Sequence, residues 1–302
     1  MLRRLKSLLP CFPHQVSRCV GKHLDDAERQ LQLRTALRDL KEQTRTRTPD
    51  NPALSGFKVY SQLDEDGIIN EILRRIPRAA LTRTAVEIGC GNGFENNTHF
   101  LVLQGYRAYW VDASQENIDL LKRGAGLDDN SAAPVRCEKV FIDLDNIAEV
   151  VRCACGFLRT DEPDLFCLDI DGNDLYVLEK ALEHSKPKVI CVEYNAKFPP
   201  PARVAIRYNQ HHVWSNDDYY GASLQSFCDL LKGYVLVSCN LAGANAFFVR
   251  SDLGEYFARY TAEQLYQPLR VELAMLKTGH SPSLKFLRDT CSNLSSPVLN
   301  LG

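Results

Sequence analysis

The segment over residues 85–100, AVEIGCGNGFENNTHF, constrains the fold of this chain more than any other. Its apolar run contains an acid, Glu87, and then breaks at three glycines, Gly89, Gly91 and Gly93. A second apolar run, YRAYWVD, ends at Asp112. Glycine tolerates the positive φ angles of a tight turn. The pattern therefore predicts a strand, a glycine turn, a helix and a second strand with an acidic end, a unit typical of parallel α/β sheets.

Short apolar runs continue to alternate with helix-like patterns as far as residue 195. The predicted strands are 84–89, 108–113, 135–142, 165–171 and 188–195. The predicted helices between them are 95–104, 116–124, 145–158 and 174–183. Alternation of this kind is typical of parallel strands that helices cover on both faces.

The pattern changes in the last part of the chain. Residues 196–220 contain three consecutive prolines, two adjacent histidines and several aromatic residues, so we expect a lid or substrate loop. A predicted helix over 222–233 follows, and then two apolar runs, 234–240 and 245–251, with four residues between them. Four residues cannot hold a crossover helix, so the two runs are predicted to pair as an antiparallel hairpin.

The predicted fold is thus α/β, a seven-stranded, mostly parallel sheet with a C-terminal antiparallel hairpin and helices on both faces. A classical dinucleotide-binding domain would end on a parallel strand instead. We expect three regions, an N-terminal leader and helix over 1–50, the main domain over 51–251 and a helical extension over 252–302.

Two helices are predicted before the first strand, over 22–45 and 64–76, and Asp64 is expected to be the N-cap of the second. One or two further helices are expected within 252–290.

Composition limits the classes of partner and compartment. A formal net charge of -2 gives no electrostatic reason to expect nucleic-acid binding. Eleven cysteines, several of them inside apolar runs and none in zinc-like spacing, favour a reducing cytoplasm. The basic N-terminal leader is too short in its uncharged part to cross a bilayer, so we expect no transmembrane segment. Weak peripheral contact with an anionic membrane stays open.

The spacing of the glycines indicates the kind of cofactor. They form G-x-G-x-G, whereas the dinucleotide fingerprint G-x-G-x-x-G needs a glycine at residue 94, which is Phe94 here. The last glycine of that fingerprint belongs to a pyrophosphate site. S-adenosylmethionine (SAM) has no pyrophosphate and needs backbone room and an acid. The pattern therefore favours SAM, while a tight strand–helix turn without a ligand is the structural alternative.

Three acids near the strand ends are assigned to this cofactor. Asp112 lies 19 residues after Gly93 and is expected to accept hydrogen bonds from both ribose hydroxyls. Glu87 is expected to orient the glycine loop or to bind the cofactor's ammonium group indirectly. Asp143 lies where the adenine amine would be contacted, and an N-cap of the next helix is an equal alternative.

Polar side chains also follow the fourth and fifth predicted strands: Asp169, Asp171, Glu193 and Asn195. Ligands of open α/β sheets bind beyond the carboxyl ends of the strands. The oxygens of these four residues could hold Mg²⁺ or Ca²⁺, and one carboxylate could instead be a general base. Hydrogen bonding to an acceptor, or simple capping of helices and loop amides, are the other interpretations.

Two adjacent histidines in the predicted lid, His211 and His212, are candidates for proton removal near neutral pH. Adjacent positions point in different directions, so at most one of them is expected to face the site. Packing or exposure to solvent is the structural alternative for each.

Several motifs, taken in order, resemble the FkbM-like branch of class I SAM-dependent methyltransferases. They are SQLDEDGIINEIL, VEIGCGNGFENNT, LDIDGNDLYVLE, VEYNA and YYGAS with GYVLVSCNLAGANAFFVR, and they extend over about residues 57–250. The resemblance implies a Rossmann-like fold and cofactor contacts from Gln62, Asp66 and Asn97. The chain departs from the better-known D-x-E-G-x-E pattern of that family, because Asp171 stands where that pattern has glutamate.

The resemblance implies SAM-dependent methyl transfer, and the predicted function is O-methylation of a small polar acceptor such as a sugar or natural product. A non-catalytic SAM-binding module is one alternative, and an NAD(P)-dependent oxidoreductase is another. The sequence predicts a small-molecule partner and does not predict an oligomeric state.

Overall fold

A computed structural model describes residues 13–127, 133–277 and 279–292 of the protein. The first part of the basic leader lies outside these residues.

Seven strands form one sheet: β1 Thr84–Ile88, β2 Arg107–Asp112, β3 Val135–Lys139, β4 Leu165–Leu168, β5 Val189–Glu193, β6 Tyr234–Cys239 and β7 Asn245–Arg250. Their order across the sheet is β3-β2-β1-β4-β5-β7-β6. The pairs among β1 to β5 are parallel, and β7 runs antiparallel to both β5 and β6. This arrangement is the Rossmann-like class I methyltransferase fold, and it confirms the predicted sheet and its C-terminal hairpin.

The described part of the chain contains these α-helices: α1 Pro13–Arg47, α2 Glu65–Arg75, α3 His99–Leu103, α4 Gln115–Ala125, α5 Ile147–Leu158, α6 Asp174–Ala181, α7 Leu224–Leu230, α8 Ala262–Leu265 and α9 Lys285–Ser292. The sequence marks some ends clearly. In α4 the Ser114 hydroxyl accepts from the Asn117 N–H, and Gly126 ends the helix at φ 65°.

Side chains on the two faces of the sheet enter different cores, as the two-residue period of a strand requires. Val86 of β1 packs on the face that α5, α6 and α7 cover. Its neighbour Ala85 packs on the opposite face with Ile68 and Ile72 of α2. Farther along that opposite face, the buried Trp110 packs with residues of α4 and α9.

The boundaries of several predicted elements differ from the structure. Helix α1 begins well before residue 22, and α3 covers only the end of the predicted segment 95–104. The residues just before α3 form a loop because the Glu87 carboxylate accepts their backbone N–H groups. Asp64 is the N-cap residue of α2 as predicted, but its side chain makes no capping hydrogen bond.

The C-terminal region contains two α-helices, α8 and α9, where one or two were predicted. Between residues 251 and 275 it forms 3₁₀ turns, Ser251–Tyr256 and Val271–Met275, with the single-turn helix α8 between them. Among the described residues of this region, α9 is the longer of the two helices.

Leu284, just before α9, and Leu287, within it, are buried in the same core as Trp110. A Cβ atom added at Gly93 would lie 3.3 Å from Leu284, and one added at Gly124 would lie 2.3 Å from it. The Leu284 side chain therefore fills the space beside Gly124, whereas the atom nearest to an added Cβ at Gly93 is Leu121 Cδ2, at 2.4 Å.

Among the described residues, no helix is both long and apolar enough to cross a membrane.

Candidate functional site

Two adjoining cavities lie at the carboxyl ends of the parallel strands, with volumes of about 350 Å³ and 270 Å³. Their shared walls are Ile88, Gly89, Gly91, Asn117 and Asp169. The larger cavity extends toward Asp112 and Phe141, and we call it the β2 cavity. The smaller extends toward Gln62 and Asn97, and we call it the β1 cavity. Together they form one cleft that passes over the glycine turn.

The glycines of this turn are required for different reasons. Gly89 has φ 88°, and a Cβ atom there would lie 1.6 Å from the Asp169 carbonyl oxygen. Backbone therefore packs directly on backbone where β1 and β4 end. Gly91 has φ 56°, and a Cβ atom there would meet nothing within 4 Å. The surface at Gly91 is thus open to a ligand, and the backbone can be approached closely.

Asp112 organises the glycine turn. One carboxylate oxygen accepts from the Gly91 N–H at 2.8 Å. The other accepts from the Ser114 N–H at 2.8 Å and from the Asn117 amide at 3.0 Å. A carboxylate offers about four acceptor positions, so one remains, on the oxygen beside Gly91. The oxygen beside Gly91 has that one donor, and the contact of Asp112 with the ribose hydroxyls stays a prediction.

Glu87 holds the segment that follows the glycine turn. Its oxygens accept from the Asn97 N–H at 2.8 Å, the Thr98 N–H at 2.9 Å and the Thr98 hydroxyl at 2.5 Å. Burial raises the pKa of Glu87 to about 7. The carboxylate also lines the β1 cavity. These contacts match the predicted loop-orienting function.

The predicted contacts from Gln62, Asn97 and Asp66 have different outcomes. Gln62 and Asn97 line the β1 cavity. Asp66 lines neither cavity, because one of its oxygens accepts from the backbone N–H groups of residues 59–61 at 2.6–2.8 Å and from the Ser61 hydroxyl at 2.9 Å. Asp66 therefore shapes the segment that carries Gln62. Burial raises its pKa to about 6.

Asp143 is not on the wall of the cleft, where it was predicted to meet adenine. One carboxylate oxygen accepts from the Asp145 and Asn146 N–H groups at the turn before α5. The other accepts from the Gln210 side chain at 3.0 Å. Residues 140–142 line the β2 cavity in its place, and Phe141 among them is 39% exposed.

Asp169, Asp171 and Glu193 come together as predicted, with one oxygen of each within 4.8 Å of the others. Burial, and repulsion from Asp171 and Asp174, raise the pKa of Asp169 well above its usual range. The pKa of Glu193 is raised in the same way, by burial and then by Asp169. This centre therefore holds carboxyl groups that retain protons more strongly than ordinary ones.

Asn195 does not face this acidic centre in a way that suits a metal ligand. Its amide donates to the Asp218 and Tyr220 carbonyl oxygens at 3.0 Å each, and its oxygen accepts from the Lys197 N–H. The side chain therefore fixes the returning end of the lid, and the predicted contribution of Asn195 to a metal site is not supported by its contacts.

Of the two adjacent histidines in the predicted lid, His212 lines a cavity and His211 does not, in line with the expectation that at most one would face the site. His212 lines the β2 cavity and packs on Gly172, where a Cβ atom would lie 2.4 Å from the ring. Its Nε2 atom is buried and has no hydrogen-bond partner, and its charge lowers the pKa of Asp171 against the larger effect of burial. His211 is exposed and its backbone N–H donates to Asn209. His212 is therefore the histidine that faces the cleft.

Side chains at the start of α6 hold the 196–220 segment, which is the predicted lid, in place. Asn173, directly after the acidic motif, exchanges hydrogen bonds with the Asn209 backbone at 2.7 Å and 3.3 Å. Tyr176 donates to the Ile206 carbonyl oxygen at 2.8 Å. Sequence reasoning missed Asn173, Asn117 and Phe141. Asn117 could have been found, because the first turn of a helix that follows β2 must lie beside Asp112.

The strand order and the cleft define a class I methyltransferase architecture. No protein-family model and no curated protein matches the chain.

Solved structures similar to this chain include class I SAM-dependent methyltransferases. The N-terminal domain of EvdMO1 with SAH bound is 12% identical, with a TM-score of 0.38 over 70% of this chain and 94% of that one. A TehB-like SAM-dependent methyltransferase from Corynebacterium glutamicum is 14% identical, with a TM-score of 0.34 over 66% and 92%. An O-methyltransferase from Bacillus cereus in complex with SAH is 14% identical, with a TM-score of 0.33 over 60% and 90%. The description of the fold rests on the strand order.

Proposed function

We propose that this protein is a SAM-dependent methyltransferase of the FkbM-like kind that methylates an oxygen of a small polar acceptor. The observation that carries the proposal is the continuous cleft over Gly89 and Gly91, which has Asp112 at one end and Asp169 where its two cavities meet. A cofactor with a nucleoside at one end and a charged amino-acid group at the other suits two adjoining cavities that both carry polar side chains.

In this proposal the adenosine occupies the β2 cavity, with the adenine against Phe141 and Ile142 and one ribose hydroxyl on Asp112. The methionine end occupies the β1 cavity, where Gln62 and Asn97 provide polar groups. The sulfonium then lies near Asp169, which lines both cavities.

The transfer itself is a displacement at carbon. The acceptor oxygen forms a bond to the methyl carbon, the bond between that carbon and sulfur breaks, and its electron pair remains on sulfur as SAM becomes SAH. The hydroxyl proton passes to a base. Asp169 suits this task because it lines both cavities and because burial and the neighbouring acids raise its pKa. Glu193, the other predicted candidate, lines neither cavity. Most of the acceleration comes from holding the two reactants in line and excluding water.

Calorimetry with SAM and SAH tests the proposal. The unmodified protein should bind both, and Asp112→Ala should weaken binding by about 1–3 kcal/mol, because a hydrogen bond to a charged group is lost. Asp119→Ala is the matched control on the adjacent helix, since the Asp119 carboxylate accepts from Gln115 and lies outside both cavities. Failure of the unmodified protein to bind SAM or SAH would overturn the proposal.

Two further measurements separate the alternatives. Displacement of SAH by NADH would favour an oxidoreductase. Binding of SAM without methyl transfer to any member of a panel of sugars and phenols, and with unchanged binding in Asp169→Asn, would favour a non-catalytic module.

We also propose a cytoplasmic location. Nine cysteines among the described residues are free thiols, including Cys167 and Cys191, which are buried on neighbouring strands. Unpaired thiols are typical of a reducing compartment.

A further inference from the structure

One wall residue of the β1 cavity comes from the antiparallel hairpin. Asn245 is the first residue of β7, and it pairs with Glu193, the last residue of β5. Because β7 runs against β5, its first residue lies at the edge of the sheet where the parallel strands end. Asn245 lines the cavity together with Cys167 and Asp169, and it is only 4% exposed. The hairpin therefore contributes a buried amide to the cleft.

A buried acid fixes the direction of this amide. The Asn245 Nδ2 atom donates to the Glu65 Oε1 atom at 3.1 Å, and the same oxygen accepts from the Asn240 amide at 2.7 Å. The other Glu65 oxygen accepts from the Leu63 N–H at 2.8 Å, so the carboxyl group is held in place. Turning the Asn245 amide over would bring two acceptor oxygens together. The NH₂ group therefore faces Glu65, and the amide oxygen points away from it.

That amide oxygen is left without a donor. Among the described residues, Oδ1 of Asn245 is buried and has no hydrogen-bond partner. A buried acceptor without a donor costs free energy, and folded proteins satisfy nearly all such atoms. The neighbouring Asn240 shows how the fold supplies an amide oxygen that it uses for structure, because its Oδ1 atom accepts from the Ala244 and Asn245 N–H groups at 2.8 Å and 2.9 Å. Oδ1 of Asn245 has no such use, and its side chain lies on the cavity wall.

The rest of the β1 cavity indicates the charge of the donor that this oxygen would take. The cavity walls carry the acids Glu87, Glu95 and Asp169 and several side-chain amides. None of the described wall residues is a lysine, an arginine or a histidine. A ligand group with both N–H donors and a positive charge suits these walls, because it can donate to an amide oxygen and is attracted by the acids.

We infer that Oδ1 of Asn245 accepts a hydrogen bond from a primary ammonium group of the ligand in the β1 cavity. The inference rests on the proposed function in one respect, the identity of that ligand, since the ammonium is then the one at the methionine end of SAM or SAH. Asn245 is thus a cofactor-binding residue that the hairpin contributes, in addition to those of the glycine turn. It favours a cofactor that keeps this ammonium group over one that lacks it.

A cofactor analogue tests this contact separately from the stability of the fold. Deaminated SAH has hydrogen in place of the ammonium group and is otherwise the same molecule. In calorimetry, Asn245→Ala should bind SAH at least tenfold more weakly than the unmodified protein, because a hydrogen bond to a charged group is lost. The two proteins should bind deaminated SAH with the same affinity, since that ligand offers no donor to Oδ1. A merely structural role of Asn245 would weaken the binding of both ligands by the same factor.

Ser238→Ala is the control on the adjacent strand β6. It also removes a buried hydrogen bond, which the Ser238 hydroxyl donates to the Asn51 amide oxygen at 2.7 Å, but Ser238 lines neither cavity. This variant should bind SAH and deaminated SAH as the unmodified protein does.

Asn245→Ser is a second variant for the case that Asn245→Ala does not fold, because serine keeps a hydroxyl donor beside Glu65 but lacks the amide oxygen. It should show the same loss for SAH and no loss for deaminated SAH. Equal SAH binding by either variant and the unmodified protein, or an equal loss for the two ligands, would overturn this inference alone. Failure of the unmodified protein to bind SAM or SAH would overturn the proposed function, and this inference with it.

Discussion

Adding one methyl group at Gly91 should mainly weaken cofactor binding, whereas adding one at Gly89 should mainly lower stability. In Gly91→Ala the new methyl group projects into open space in the cleft, and the residue keeps φ 56°. The left-handed conformation costs an ordinary residue about 1–2 kcal/mol. The free energy of unfolding should fall by that amount, yet SAH affinity should fall at least tenfold, because the methyl group occupies the wall shared by both cavities.

Gly89→Ala is the matched control two residues earlier. Its methyl group would lie 1.6 Å from the Asp169 carbonyl oxygen, far below the 3.0 Å that Cβ atoms respect. The ends of β1 and β4 must then separate, so unfolding should become easier by more than about 4 kcal/mol. Urea unfolding measures stability and calorimetry measures SAH binding. If Gly91→Ala binds SAH as tightly as the unmodified protein, the cofactor does not pass over this turn and the reasoning is refuted.

Two other predictions concern Asp66 and the lid histidines. Burial raises the pKa of Asp66 from 3.8 to about 6. Between about pH 4 and pH 6 the unfolded chain therefore loses a proton that the folded protein keeps. The free energy of unfolding should fall as the pH rises through this range, by about 3 kcal/mol for this group. Asp66→Asn can keep all four hydrogen bonds on its remaining oxygen, and its stability should not fall in this way. Urea unfolding of both proteins at several pH values measures the difference. Parallel pH profiles for the two proteins would contradict the prediction. His212→Ala should weaken SAH binding about fivefold, through roughly 1 kcal/mol of lost contact, whereas calorimetry on His211→Ala should show no change.

The sequence was sufficient for the sheet because each strand carries a local signal. The five parallel strands are short apolar runs between helical patterns. This alternation can be recognised from the sequence of each segment, before it is known which strands pair. The reversed strand β7 follows from the five residues, 240–244, that separate it from β6. The region after residue 251 has no such alternation, and it folds into 3₁₀ turns and the two helices α8 and α9.

The site was harder to predict because the groups that donate hydrogen bonds to a carboxylate can come from other segments of the chain. Asp66 is taken up by the N–H groups of residues 59–61, and Asp143 by a turn and by Gln210 from the lid. Both lie near the predicted positions, but their oxygens are used for structure. Residue type and strand position identify which acids approach the cleft, whereas free acceptor positions depend on distances that only the folded chain defines.

The contacts of Leu284 with Gly93 and Gly124 bear on which C-terminal truncations this protein can tolerate. A chain that stopped at residue 251 would keep all seven strands but would lose Leu284 and Leu287 from the core around Trp110. Gly93 would then keep its contact with Leu121 but lose the one with Leu284, and Gly124 would lose the side chain packed against it. We therefore expect a truncation before residue 284 to loosen the helix that follows β2 and, through it, the Asn117 side of the cleft.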